Sequence, residues 1–298
     1  MTNKGYSIYG SLLGCGLNEH GLSPLISSHI WHRISLPSML YACELWNNMP
    51  KTHINMLERV QKTIAKSIQG LYRRTHDEIV RGLLGWYTIS GYIDKMKLLF
   101  VHTLVNMNSD SIVKHVFLNE IYGFVMFGST TKSITNDIYN VISKYGLSHY
   151  LICYLQGGTF PERYAWKFIV KEQIHLSEER KWKRGLFAKD ADRYWGIQPC
   201  LKPNILYRIM KDNIEHKHCW LLLIKMLTIV QTDECMLCTL CGKVLTDSVE
   251  HILLRCEGLL DERVEFWDKV LDGIPVLAEA ELLRKEDKDI VKILLGQQ

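Results

Sequence analysis

Four residues near the end of the chain have the types and the spacing of a metal site. Cys238 and Cys241 form a CxxC pair, and His251 and Cys256 follow it within the next fifteen residues. A CxxC turn directs two thiolates at one point, and Gly242 suits the positive φ that such turns tend to need. His251 and Cys256 can complete a tetrahedron if their helix ends or bends between them. Three thiolates and one imidazole leave no open position, so the pattern predicts a structural Zn²⁺ site.

Two alternatives accompany this prediction. Cys235 and Cys238 also form a CxxC pair, so Cys235 is an alternative ligand, although the glycine that follows Cys241 favours the pair 238 and 241. The other alternative is that these are core cysteines of an apolar helix beside one hydrogen-bonded histidine. Zinc is favoured because four ligand-type residues fall within nineteen positions.

Other chemical patterns are absent from the sequence. The glycines at 14, 16 and 21 give GxGx₄G and not the GxGxxG of a dinucleotide site, and there is no GxSxG or HExxH. No two aspartates are adjacent, so no carboxylate pair for two-metal phosphoryl transfer is recognisable. The sequence therefore predicts a protein without catalytic residues.

Composition limits the class of protein further. The chain has 298 residues, of which 47% are hydrophobic and 23% charged, and its net charge is +4. Basic residues outnumber acidic ones nine to four from 51 to 97, whereas acids outnumber bases eleven to six from 257 to 298. Five of the nine cysteines are isolated, which indicates a reducing compartment. The most apolar stretch, 219–230, is too short to span a bilayer, so we expect an intracellular protein of the nucleus or cytoplasm with no membrane partner.

Helical periodicity dominates the elements that must position these residues. Predicted helices cover 52–70 (with Thr52 as cap and Gly70 as stop), 92–106, 136–145 and 162–184, with a buried helix at 213–230. Strand patterns are few and short, so the sequence predicts a mainly α fold. Turns are predicted at Gly85, Gly91, Gly123 with Gly128, Gly146 and Gly157 with Gly158. Domain joints are placed near 108–111 and 199–203.

A basic face on the helix 52–70 is a candidate phosphate-binding surface. Its residues, with two arginines that follow it, are Arg59, Lys62, Lys66, Arg73 and Arg74. The alternative is an ordinary solvated face. Trp182, Tyr194 and Trp195 lie among basic residues and either stack on bases or belong to the core.

Several of these segments together resemble one family. The segments are Leu36-Pro37 with Tyr41, Glu44-Leu45-Trp46, then Leu57-Glu58, Gln61-Lys62, Arg74-Thr75 and the terminal CxxC and HxxxxC pairs. They are similar to the region after the palm in the reverse transcriptases of LINE-type non-LTR retrotransposons, including its zinc-knuckle tail. The resemblance spans about residues 4–270, but 110–215 carries no matching motif.

The resemblance implies a helical thumb-like segment at 1–108, a helical connector at 109–202, and a third part at 203–298. This last part would hold the buried helix, a CCHC zinc knuckle at 235–256 and acidic C-terminal helices. In the family these parts help to hold template RNA and target DNA, so RNA or DNA of the parent element is the implied partner. The family's catalytic aspartates and endonuclease are absent, which implies a non-catalytic fragment. A zinc-stabilised protein-interaction module and a pseudogene product remain alternatives.

Overall fold

The chain is mainly helical in the part that the computed structural model describes. That part comprises residues 2–14, 16–18, 21–128, 132–188, 198–204, 206–208, 221, 223–224, 228, 241–243, 250–272, 285–286 and 290. None of these residues lies in a β-strand, which confirms the predicted mainly α fold. Within the same residues, no helix has the length and apolar character needed to cross a membrane.

Most of the described α-helices follow one another between residues 2 and 187. In chain order they are α1 (Thr2–Leu13), α2 (Pro24–Ile30), α3 (Leu36–Met39), α4 (Lys51–Gln69), α5 (Asp77–Leu84), α6 (Ile89–Val105), α7 (Ile112–Phe127), α8 (Ile134–Lys144), α9 (Ser148–Leu155), α10 (Arg163–Phe187) and a helix at Leu260–Asp272. Two π-helical turns cover Trp31–Ser35 and His251–Arg255, and two 3₁₀ turns cover Cys43–Leu45 and Glu257–Leu259.

The chain divides into two compact units, each built from separate segments. The first unit comprises Met1–Tyr6, Ile34–Gln61 and Tyr87–Lys181. The second comprises Ser7–Arg33, Lys62–Trp86 and Trp182–Gln298. The three consecutive segments that the resemblance implies stay a prediction.

The core of the first unit is formed by side chains of α6 to α10. At its centre, the indole N–H of Trp166 donates to the carbonyl oxygen of Leu98 over 2.7 Å, and the Trp166 ring lies 4.8 Å from that of Phe160. The other buried members include Val101, Leu104, Phe117, Ile121, Phe124, Ile138, Ile142, Leu151, Val170 and Ile174. Because these positions recur every three or four residues, each helix buries one apolar stripe.

The start of α6 is fixed by two polar side chains. The Thr88 hydroxyl accepts from the N–H of Gly91 (3.1 Å), and the buried Glu178 carboxylate accepts from the N–H (2.7 Å) and hydroxyl (2.9 Å) of Thr88. The prediction of a turn at Gly91 is therefore wrong, since Gly91 lies in the first turn of α6. A Cβ at this position would come within 2.7 Å of the Glu178 Cδ, so the glycine serves close packing.

Other predicted helix ends are mostly confirmed. Gly70, Gly85, Gly128 and Gly146 have φ values of 61° to 71° and follow the ends of helices. Gly123 is a wrong prediction, because it lies inside α7, where a Cβ on this residue would meet no heavy atom within 4 Å. Thr52 is not a cap either, because α4 already begins at Lys51, directly after Pro50. The predicted helix 213–230 lies largely outside the described residues, although Leu221, Leu223 and Ile224 are helical and buried.

The second unit packs aromatic rings against α5. Trp31 and Trp86 stack with centroids 5.7 Å apart, and the Trp86 N–H donates to the Ser28 hydroxyl over 2.6 Å. The indole N–H of Trp182 donates to the Glu78 carbonyl oxygen over 2.8 Å. A Cβ at Gly82 would lie 2.7 Å from the Trp182 ring, so only glycine permits this approach.

Candidate metal centre

Three of the four predicted zinc ligands converge in the second unit. One ligand atom from each of Cys241, His251 and Cys256 lies within 4.8 Å of the other two, and Cys241 Sγ is 3.3 Å from Nε2 of His251. His251 and Cys256 are buried, and Cys241 is half-buried. Ligands of a tetrahedral zinc ion lie about 2.0–2.3 Å from it. Shifts of about 1 Å would therefore bring the three atoms, here called the Cys/His cluster, to ligating distance.

A π-helical turn explains how His251 and Cys256 meet. The turn covers His251–Arg255, and Cys256 has the extended backbone angles φ −69° and ψ 119°. In a π-helix, residue i+5 bonds back to residue i, so residues five apart come to the same side. The helix thus ends at Cys256, which confirms the ending that the sequence required.

Cys241 is positioned by a turn and by an ion pair beside it. Gly242 has φ 71°, as predicted for the residue after the CxxC pair. Next in the chain, the Lys243 ammonium pairs with the Glu257 carboxylate, which directly follows Cys256. Hydrogen bonding in this exposed pair raises the pKa of Lys243 and lowers that of Glu257. The pair joins the two chain segments that carry the thiols.

Arg263 supports the other side of the cluster. Its guanidinium donates to the carbonyl oxygen of Cys256 over 2.7 Å, and the side chain is buried. Burial, and then the positive charges of Arg263, Lys243 and Arg255, lower the pKa of His251. The neutral imidazole that results is the form that binds metal.

Sequence reasoning identified the cluster but missed its supports. Cys238 and the alternative Cys235 lie outside the described residues, so the fourth ligand stays a prediction. Arg263 and the pair of Lys243 with Glu257 were not predicted. The sequence does contain a signal for the pair, because each of the two predicted ligands is followed closely by a charged residue of opposite sign to the other. Lys243 is two residues after Cys241, and Glu257 is next after Cys256.

The predicted phosphate-binding residues are in part neutralised. Lys62 and Lys66 both pair with Asp77, at 2.9 and 3.1 Å. Burial would raise the pKa of Asp77, but the hydrogen bonds from these two lysines lower it below its usual value. Arg73 and Arg74 are exposed in the same unit, and Arg59 is exposed in the first unit. The sequence count of bases therefore overstates the charge available to a ligand.

Of the three residues predicted to stack on bases, the structure describes one, and its ring is not accessible to a base. Trp182 is fully buried, which favours the core alternative for it. Tyr194 and Trp195 lie outside the described residues. The exposed aromatic side chains described on α10 are instead Tyr164, Phe168 and Phe187.

Fold and site together define a helical protein with a candidate Cys/His metal centre. No disulfide joins any of the cysteines that the structure describes. Comparisons with protein-family models, with curated proteins and with solved structures found no match to this chain. The resemblance to LINE-type reverse transcriptases therefore rests on the quoted residues and stays a prediction.

Proposed function

We propose that this chain is a non-catalytic nucleic-acid-binding protein with one structural zinc site, related to the C-terminal region of LINE-type reverse transcriptases. The observation that carries the proposal is the convergence of Cys241, His251 and Cys256 within 4.8 Å. This cluster lies in the segment in which the resemblance implies a zinc knuckle.

The donor set favours zinc in a closed site. Thiolates with an imidazole in a tetrahedral arrangement are ligands typical of Zn²⁺, while hard cations prefer oxygen. Cys238 is the proposed fourth ligand, because its CxxC spacing from Cys241 lets both thiolates reach one ion. With four protein ligands the ion has no position for substrate or water, so its role is structural.

Nucleic-acid binding is supported by the resemblance and by exposed cations. In the resembled family this region helps to hold template RNA and target DNA. Arg59, Arg73 and Arg74 are exposed, and arginine binds phosphate through paired donors. Polymerase chemistry is not part of the proposal, because the sequence contains no aromatic-x-Asp-Asp motif.

Metal analysis and a binding assay test the two halves separately. Purified full-length protein should contain one zinc ion per chain, and Cys241→Ser should lower that content while Cys153→Ser, at an exposed cysteine, leaves it unchanged. Binding to structured RNA or nicked DNA should weaken steeply with salt. Protein without zinc, or without detectable nucleic-acid binding at about 50 mM salt, would contradict the corresponding half.

A second candidate function is a protein-interaction module that pairs with another copy of itself, and α7 favours it. This helix exposes an apolar stripe in which Ile112 and Phe127 are each 78% exposed. The stripe is self-complementary in an antiparallel pair, because four couples of residues then lie opposite each other: 112 with 127, 113 with 126, 116 with 123, and 119 with 120. Val116 would meet the open Gly123, and the Asn119 amide would meet the Glu120 carboxylate.

A concentration series tests this pairing. One helix pair is a small interface, under about 1,200 Å², so a weak dimer is expected at high protein concentration. Val116→Glu should abolish it in sedimentation velocity, whereas Met56→Glu, also at an exposed apolar residue, should not. A chain that stays monomeric at every concentration would exclude the second candidate.

A further inference from the structure

Lysines of two neighbouring helices in the first unit add positive charge at one place. Lys167 and Lys171 are one turn apart on α10, and Lys95 lies on α6. Burial, and then the positive charges of Lys171 and Lys167, lower the pKa of Lys95. In the part of the chain that the structure describes, none of the three ammonium groups forms a hydrogen bond or ion pair. These residues, here called the lysine cluster, concentrate positive charge that no described acidic side chain pairs with.

Two exposed aromatic rings share one face of α10 with Lys167 and Lys171. Tyr164 is 84% exposed and Phe168 is 64% exposed. Residues 164, 167, 168 and 171 follow the i, i+3, i+4, i+7 pattern, so they lie on one side of the helix. Exposing two neighbouring large rings leaves apolar surface in water, and a ligand with flat apolar faces would remove it.

The spacing of the rings favours unpaired over paired bases. Residues four apart on a helix are separated by about 6 Å along its axis. Successive bases in a duplex strand are separated by about 3.4 Å. Two bases can therefore lie on Tyr164 and Phe168 only when their own stack is opened, as in an extended single strand. Along the helix axis Lys167 lies between the two rings, and Lys171 lies about 4.5 Å beyond Phe168, so both are placed to meet phosphates of such a strand.

We propose that Tyr164, Phe168 and the lysine cluster bind single-stranded nucleic acid, with bases stacked on the two rings and phosphates at the ammonium groups. The proposal rests on the nucleic-acid-binding function proposed above and assigns it to a surface other than the predicted face of α4. Extended RNA and DNA strands share the chemistry that this surface recognises. Glu172 lies one turn beyond Phe168 and is exposed, so it marks an unfavourable edge for phosphate.

The test measures binding of the full-length chain to fluorescein-labelled single strands by anisotropy. The probes are a 20-nucleotide oligouridylate, a 20-nucleotide oligodeoxyuridylate, which differs from it only in the sugar, and a 20-base-pair DNA duplex. Tyr164→Ala combined with Phe168→Ala should weaken single-strand binding by at least about tenfold and duplex binding far less. Lys167→Gln combined with Lys171→Gln should reduce the slope of log affinity against log salt by about 1.4. Glu172→Gln should tighten binding, because it removes a charge that repels phosphate.

Matched variants control for exposure and charge elsewhere. Tyr41→Ala removes a ring that is 80% exposed in the first unit, and Lys51→Gln removes an exposed charge at the start of α4. Neither should change the affinity, and circular dichroism should show the same helix content in every variant. A difference between the two single-stranded probes would identify the sugar that the surface prefers.

The outcomes separate this inference from the function on which it rests. If the wild-type chain binds single strands but the ring and lysine variants bind equally well, this surface is not the site while nucleic-acid binding stands. Stronger binding of the duplex than of either single strand would also overturn the assignment. If the wild-type chain binds none of the probes at about 50 mM salt, both the function and the site are refuted.

Discussion

The core of the first unit and the segment around the Cys/His cluster bring together different kinds of side chain. Between α6 and α10 the first unit buries a continuous set of apolar side chains around Trp166. In 250–272, by contrast, the apolar side chains described as buried are Cys256, Leu259 and Phe266. Segments this short rarely fold by apolar burial alone, and metal binding commonly supplies the missing free energy. The contrast implies that one region responds to core mutations and the other to metal removal.

Removal of the metal is expected to produce the largest difference between the two regions in their protection from amide exchange. Zinc binding in small structural sites has an apparent free energy on the order of 10–16 kcal/mol, and this energy is also folding energy. Chelation should therefore expose 241–272 to rapid amide exchange and leave α6 to α10 protected. Hydrogen exchange followed by mass spectrometry, with and without chelator, measures both regions in one sample.

Replacing one ligand provides the matched version of this experiment. Cys256→Ser should reproduce the exchange pattern of the chelated protein, because serine cannot supply a soft thiolate. Cys153→Ser, at an exposed cysteine of the first unit, should behave like the wild type. Equal protection of 241–272 with and without metal would show that packing alone holds this segment.

Trp166→Ala is the corresponding test of the first unit, because it should destabilise the core without affecting the metal site. The mutation removes a fully buried indole and its hydrogen bond to Leu98, and truncations of this kind cost about 3–5 kcal/mol. Urea unfolding followed by circular dichroism should show the loss, while zinc content stays at the wild-type value. Tyr164→Ala, two residues earlier but exposed, should change the free energy of unfolding by less than about 0.5 kcal/mol. A loss of zinc in Trp166→Ala would mean that the two regions do not respond separately.

A smaller effect is expected from Glu178→Gln. Glu178 lies on α10 and holds the start of α6 through its hydrogen bonds to Thr88. The Glu178 carboxylate is buried and accepts from the N–H and the hydroxyl of Thr88, next to a helix N-terminus that favours negative charge. An amide has one acceptor oxygen, so one of these bonds is lost, at a cost of about 1–3 kcal/mol. Thermal unfolding measures the loss. Glu172→Gln on the exposed face of α10 should leave the midpoint unchanged, and an equal decrease in both variants would contradict a specific role for Glu178.

The sequence predicted the features that depend on residue type and local spacing. Apolar periodicity located α4, α6, α8 and α10, and the CxxC and HxxxxC pairs located the cluster. Each of these signals is contained in a short stretch of sequence, so it can be recognised without knowledge of the fold. Contacts between distant residues were not predictable in this way. The pairing of Lys62 and Lys66 with Asp77 depends on how α4 packs against α5. Gly91 and Gly123 lie inside helices because buried apolar residues flank each of them along the helix. The i, i+4 rings at 164 and 168 were visible in the sequence, but their exposure was not.

The smallest effect is expected from Asp77→Asn. This mutation tests how much the ion pairs of Asp77 contribute to the free energy of unfolding of the second unit, in which metal binding is proposed to be the largest contribution. Asp77 keeps a side-chain exposure of 32%, so solvent screening limits its pairs with Lys62 and Lys66 to at most about 1 kcal/mol. The lysines lower the pKa of Asp77 below its usual 3.8 in the folded chain. Its contribution is therefore present above pH 3.8 and is lost as the pH falls from there through the folded-state pKa.

Urea titrations of the wild type and Asp77→Asn at a series of pH values measure this contribution as a difference, in which effects of pH on the metal site cancel. The difference should be constant from neutral pH down to about pH 5 and should shrink as the pH falls below about 4. The same mutation releases Lys62 and Lys66, so it should also strengthen salt-sensitive binding of nucleic acid to the second unit. A constant difference at all pH values would show that the pairs do not stabilise the fold. Unchanged nucleic-acid binding would show that α4 carries no phosphate site even when its charges are released.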